Sequence, residues 1–215
     1  ALCVSSGQAA SAFVVQNLCR SGDNIVASTD LYGGTVNLFS NTLKTMGVEV
    51  RYADPEDPKN FEKLTDDKTR LYYAETLPNP SLRVFPIKEV ADIGKSKGIP
   101  LVMDNTACPV ICKPIEHGAA IVMHSLTKFI GGHGTSIGGI IIDSGNFDSP
   151  PPAETDRAGP GRQESDLAQR VPGHAREGPV HERGVPLRPP GGVEVARGFV
   201  HREVAREHRL VEPRL

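Results

Sequence analysis

No stretch of this 215-residue chain stays apolar for anything near the roughly 18 residues that a membrane-spanning helix needs, and no signal-peptide pattern opens it. Neither a C-x-x-C nor an H-x-x-x-H spacing occurs. The four cysteines (Cys3, Cys19, Cys108, Cys112) therefore read as reduced thiols of a cytosolic protein. Cys108 and Cys112 with His117 or His124 supply the residue types of a metal site without its spacing. An excess of charge is missing too. A net charge of −2 offers no basic surface to nucleic acid or to an anionic membrane.

The C-terminal stretch lacks more. Residues 149–215 contain no Lys, Ile, Met, Asn, Tyr or Cys, and Phe199 is their one aromatic. They hold 11 Arg and 10 of the 18 prolines, whereas residues 1–148 hold 4 Arg and 9 Lys. Those 11 Arg are nearly balanced by 10 Asp and Glu, so the stretch is not a basic arm for phosphates. His174, His181, His201 and His208 are scattered without ligand spacing. The change in composition predicts two parts: residues 1–148, and a disordered Pro/Arg-rich tail over residues 149–215. Loss of residues with AT-rich codons, with Gly, Ala, Arg and Pro making up over half, predicts that the tail is translated out of frame. A start at Ala1, mid-pattern and without methionine, predicts a fragment.

Strand and helix signals alternate along the first part. Ser5 or Ser6 caps a helix that runs from Gly7 to about Arg20. Strand signals cover Asn24 to Ser28, Val48 to Tyr52, Thr69 to Glu75, Leu101 to Met103, Ile121 to Met123 and Ile140 to Ile142. Helices are expected from Val36 to Met46, over Phe61 to Leu64, and from Ile87 to Lys97 with Gly98 as the stop. Near-continuous apolar strands between helices predict an α/β fold, a mostly parallel sheet covered by helices on both faces.

Sheets of that kind gather ligands at the carboxyl ends of their strands. Tyr32, Asn79, Asp104 and Lys128 all follow strands directly, and the open helix start at Gly7 adds an anion site. Ser125-Leu126-Thr127-Lys128 sits between an apolar strand and a glycine-rich bend, which predicts a desolvated lysine with a nucleophilic amine. Gly132-x-Gly134 lacks the third glycine of a dinucleotide fingerprint, and Ser125-x-x-Lys128 lacks the companion elements of an acyl-serine hydrolase. An aromatic ring, a carboxylate, an amide, an anion cradle and a lysine are together what pyridoxal phosphate requires.

In that order and spacing, SSGQAA, DLYGGT, ETLPNP, VMDNT and SLTKFIGGHGTSIGG resemble the Cys/Met-metabolism family of pyridoxal-phosphate enzymes. The O-acetylhomoserine sulfhydrylases are the nearest branch on GGHGTSIGG, and the likeness covers Ala1 to about Asp148. It implies a fold-type-I large domain, incomplete at residues 1–148, in a cytoplasmic homotetramer built from dimers. Lys128 would hold the cofactor as a Schiff base and Asp104 would face its pyridine nitrogen. Tyr32 would stack on the ring and help in acid–base steps, Asn79 would contact the phenolic oxygen, and Thr106 would lie beside the ring. The Gly7 and Gln8 amides with the Ser125 and Thr127 hydroxyls would take the phosphate, and Glu75 would support them from behind. The implied reaction joins O-acetylhomoserine with sulfide or methanethiol to give homocysteine or methionine. A γ-lyase, a cystathionine γ-synthase and an inactive cofactor-binding fragment are the alternatives.

Overall fold

The computed structural model describes residues 1–147. The expected boundary at residue 148 and the whole Pro/Arg-rich tail lie outside the described residues. Seven strands are formed: β1 Leu2–Val4, β2 Asn24–Ser28, β3 Glu49–Ala53, β4 Thr69–Glu75, β5 Leu101–Asp104, β6 Ile121–Ser125 and β7 Gly139–Asp143. They make one sheet in the order β1-β7-β6-β5-β4-β2-β3. The neighbours from β3 to β6 are parallel, and β7 runs antiparallel to both β6 and β1.

Every residue of β2 and all but Arg70 of β4 are buried, because helices cover both faces; this is why these strands are apolar without alternation. One face carries α1, Gly7–Leu18, and α2, Gly33–Asn37, which continues as a π-helical turn over Leu38–Leu43. Val14, Val15, Phe39 and Leu43 pack there on Ile25, Leu71, Tyr73, Val102 and Met123. The other face carries α3, Lys59–Lys63, and α4, Ile87–Lys97. Phe61, Ile87 and Val90 pack there on Val26, Tyr72, Leu101, Met103 and Val122. Neighbouring residues of a strand thus serve opposite cores, and Tyr72 and Tyr73 are both fully buried on opposite sides of β4.

Local chemistry explains most of the boundaries. The Ser6 hydroxyl caps α1 by accepting the Ala9 N–H at 3.0 Å. The helix ends at Leu18, short of the expected Arg20, where Cys19 turns extended. α4 stops where Gly98 takes a left-handed conformation (φ 69°) that a side chain would resist. α2 starts at Gly33, ahead of the expected Val36, because Glu75 Oε1 accepts the Tyr32 N–H at 2.7 Å and fixes the chain at the helix entry. β6 outruns its apolar stretch and reaches Ser125, held to Gly139 of β7. β1 was not expected; it exists through pairing with β7, Leu2 opposite Ile141.

Chain order sets where a ligand can sit. After β2 the chain passes to β3 on one side, and β4 then returns on the other side of β2. The carboxyl ends of β2 and β4 therefore flank a topological switch point, where the following loops diverge and leave a crevice.

Candidate active site

Around that crevice the described side chains form a closed circuit on the face of α1 and α2. Gly7, the first residue of α1, lies against Ser125 at the end of β6. A Cβ on Gly7 would stand 2.6 Å from the Ser125 Cβ, so only glycine permits this approach. The Ser125 N–H donates to Thr106 Oγ1 at 2.7 Å. Thr106 in turn donates its N–H (2.9 Å) and its hydroxyl to one oxygen of Asp104. Asp104 is the register partner of Glu75 on the adjoining strand. Glu75 takes the N–H of Tyr32, with that of Asn79 beside it. The Tyr32 ring and the Gln8 amide meet over Gly34, where a Cβ would lie 2.5 Å from the ring and 2.4 Å from Gln8 Nε2. Gln8 leads back to Gly7.

The electrostatics of the circuit are unusual. Burial pushes the Glu75 carboxyl up to about 8; neighbouring Asp104 adds to the rise, and the N–H groups of Tyr32 and Asn79 oppose it. Burial also raises Asp104, against the pull of its two Thr106 donors. No cation contributes to either shift. Gln8 Oε1 is buried with no partner among the described residues. Ala9 N–H goes to the Ser6 hydroxyl and Ala10 N–H to the Ser6 carbonyl, which leaves the N–H groups of Gly7 and Gln8 at the open end of α1.

Those features fit pyridoxal phosphate. The open amides at Gly7 and Gln8 suit a phosphate, and a desolvated carboxylate without a cation suits a protonated pyridine nitrogen. Half-exposed Tyr32 offers an aromatic face at the rim of the same circuit.

One residue departs from the reading of the sequence. Lys128 is exposed, not desolvated. β6 ends at Ser125 and the chain turns outward over residues 126–130; Lys128 is held through its backbone N–H, which donates to the Ser125 carbonyl at 3.3 Å, while its side chain stands in solvent. Thr127 directs its hydroxyl to the Gly138 backbone, accepting that N–H at 3.2 Å. Asn79 is exposed beyond β4, joined to the circuit by its backbone.

The layer beneath leaves no mark in the residue pattern. Tyr73 lies fully buried under the circuit, its hydroxyl 2.9 Å from Ser11 Oγ. On the opposite face a second row follows the strand ends: Thr76, Asn105 and His124 are buried, and Thr76 Oγ1, Asn105 Oδ1 and His124 Nδ1 have no partner among the described residues. A tyrosine in an apolar run and single polar residues after strands are common enough that spacing alone marks none of them. The four cysteines are free, and the described residues contain no cluster of metal-ligating side chains and no helix long and apolar enough to cross a membrane.

Comparison with known proteins places this arrangement. The model of the Cys/Met metabolism PLP-dependent enzymes matches residues 1–165. An O-acetyl-L-homoserine sulfhydrylase of Leptospira meyeri is 53% identical over 148 residues, 68% of this chain and 34% of that protein. The solved O-acetylhomoserine sulfhydrylase of the methionine biosynthetic pathway of Wolinella succinogenes superposes with a TM-score of 0.63 at 40% identity, covering 68% of this chain and 42% of that one. A Campylobacter jejuni structure that contains N'-pyridoxyl-lysine-5'-monophosphate superposes with a TM-score of 0.65 at 39% identity, covering 66% of this chain and 36% of that one. The chain spans about a third of the length of the curated relatives it matches. With its fold-type-I sheet and its cofactor-shaped circuit, it belongs to the pyridoxal-phosphate-dependent enzymes of cysteine and methionine metabolism.

Proposed function

We propose that this chain is the cofactor-holding part of an O-acetylhomoserine sulfhydrylase, which replaces the acetate of O-acetylhomoserine with sulfide or methanethiol to give homocysteine or methionine. The observation that carries the reading is Asp104: a carboxylate desolvated at a strand end, held by two donors from Thr106 and facing no cation. The identity to a sulfhydrylase supports the choice of branch.

When bound, pyridoxal phosphate supplies an electron sink for carbanionic character at the substrate carbons. Asp104 would pair with the pyridine nitrogen and keep it protonated. The N–H groups of Gly7 and Gln8, with Ser125 and Thr127, would hold the phosphate by the open end of a helix. Tyr32 would cover the ring, Asn79 would take the phenolic oxygen, and Thr106 holds one oxygen of Asp104, which leaves the other for the nitrogen. Lys128 would hold the cofactor through its amine, and the same amine would carry protons at the α and β carbons of the substrate. Tyr32 assists as the acetate leaves the γ carbon. Glu75 supports Tyr32 and Asn79 through their backbones. The assembly that goes with this reading is a cytoplasmic homotetramer, a dimer of dimers, tested by light scattering of the purified chain.

Exposed Lys128 favours a second reading, that the chain by itself binds the cofactor without turning over substrate. One experiment addresses both. The full chain is incubated with pyridoxal phosphate, reduced with borohydride and mapped by mass spectrometry, and acetate release from O-acetylhomoserine with sulfide is followed in parallel. A single adduct on the Lys128 peptide is expected. An equal adduct in Lys128→Ala sinks the assignment; a Lys128 adduct without acetate release selects the second reading.

A further inference from the structure

Tyr73 is a buried polar side chain that the proposed chemistry leaves unused. It is fully buried, and its ring meets Phe39 edge-on at a centroid distance of 4.8 Å. Its hydroxyl stands at the junction of three elements. Ser11 of α1 lies 2.9 Å away and Met123 Sδ of β6 3.3 Å away. Ser11 Oγ also reaches the Gly7 carbonyl at 3.3 Å.

Each hydroxyl carries one hydrogen. Tyr73 donating to Ser11, and Ser11 to the Gly7 carbonyl, uses both and ends on an oxygen, a better acceptor than the thioether of Met123. That relay runs from the centre of the sheet to the first residue of the anion cradle. Phenylalanine would fill the same space without a buried hydroxyl to satisfy. The hydroxyl therefore has a task beyond packing.

We infer that Tyr73 is a positioning residue for the cofactor site, fixing the open end of α1 through Ser11, so that the phosphate cradle is held in one geometry. Its consequence for the cofactor rests on the proposed function; its hold on the helix start does not.

Tyr73→Phe in the full chain separates these. Amide hydrogen exchange of the cofactor-free variant is expected to quicken about tenfold, the equivalent of one lost hydrogen bond, at the first turn of α1, with the amides of β2 and β4 unchanged. No change, or an even acceleration throughout, overturns the inference and leaves Tyr73 an ordinary core residue. Binding of pyridoxal phosphate, read by absorbance, is expected to weaken about tenfold, while pyridoxal, which lacks the phosphate, binds as before. Equal losses for the two compounds overturn the link to the cradle. A parent chain that binds neither compound defeats the proposed function instead, and the exchange pattern then decides the role of Tyr73 by itself.

Discussion

Glu75 and Asp104 are register partners on adjoining parallel strands, two carboxylates on one sheet face without a cation between them. Like charges at that spacing in a desolvated place resist joint ionisation. One proton is kept until pH is high enough, and Glu75, raised to about 8 by burial and then by Asp104, is where it is kept.

The sign of the pH dependence follows. In the unfolded chain Glu75 ionises near its ordinary 4.5, in the folded chain near 8. Between those values the folded state binds the extra proton, so stability is greatest below the window and falls as pH rises through it, by up to about 1.4 kcal/mol per pH unit. Urea unfolding of the cofactor-free chain at intervals from pH 5 to 8 measures this slope. Glu75→Gln is expected to flatten it; an unchanged slope would assign the proton elsewhere.

His124 acts in the opposite direction. Burial lowers it from 6.5 to about 4, with the Asn105 backbone opposing in part. Below pH 6.5 the unfolded state takes up a proton that the folded state refuses, so this contribution is complete above the window and lost as pH falls toward 4. The difference between the parent and His124→Phe, followed by urea unfolding from pH 7 to 4, is expected to show the parent losing stability faster. Parallel curves would mean that His124 titrates alike in both states.

Gly7→Ala tests the contact at the cradle. Alanine is a better helix former than glycine by about 1 kcal/mol, yet its Cβ would meet that of Ser125 at 2.6 Å. Overpacking of this kind costs about 1–3 kcal/mol, so a net loss of stability and weaker binding of pyridoxal phosphate are expected. Adding Ser125→Gly removes the opposing atom and is expected to restore stability but not phosphate binding. A Gly7→Ala chain as stable as its parent would show that the two elements part without cost.

Asp104→Asn removes one of the paired charges at nearly constant shape. Glu75 then loses a neighbour that raises it, so its window narrows toward ordinary values and the cofactor-free chain gains stability above pH 7. Binding of pyridoxal phosphate is expected to weaken at the same time, because a neutral amide does not hold the ring nitrogen protonated. Calorimetric unfolding and absorbance titration give the two numbers. Gains in both would remove Asp104 from the site.

Much of the fold was legible because its signals are local. β2 and β4 are continuous apolar runs bounded by polar residues, and α4 ends at a glycine that takes the left-handed conformation. The start of α2 was not legible, since Gly33-Gly34 reads as a turn until Glu75 reaches across to the Tyr32 N–H. β1 has three residues and no period, and only its partner makes it a strand. The site divides the same way. Polar residues after apolar strands pointed to Asp104, Tyr32 and Asn79, but burial of Lys128 was misjudged because an apolar strand says nothing of the turn that leaves it. Tyr73 and Ser11 are distant in sequence, and only packing brings them together.

The pairing of Leu2 with Ile141 sets a timetable. A chain emerging from its N-terminus can form α1 and add β2, β3 and β4 as they appear, but β1 has no partner until β7 is made. Closing so long a loop is slow and entropically costly until the contacts at its ends repay it. Gly7 waits for Ser125 in the same way. The contact between Gly7 and Ser125 is therefore a late product of folding, made when residues far apart in the chain meet, and a chain interrupted before β6 would have its first helix without that contact.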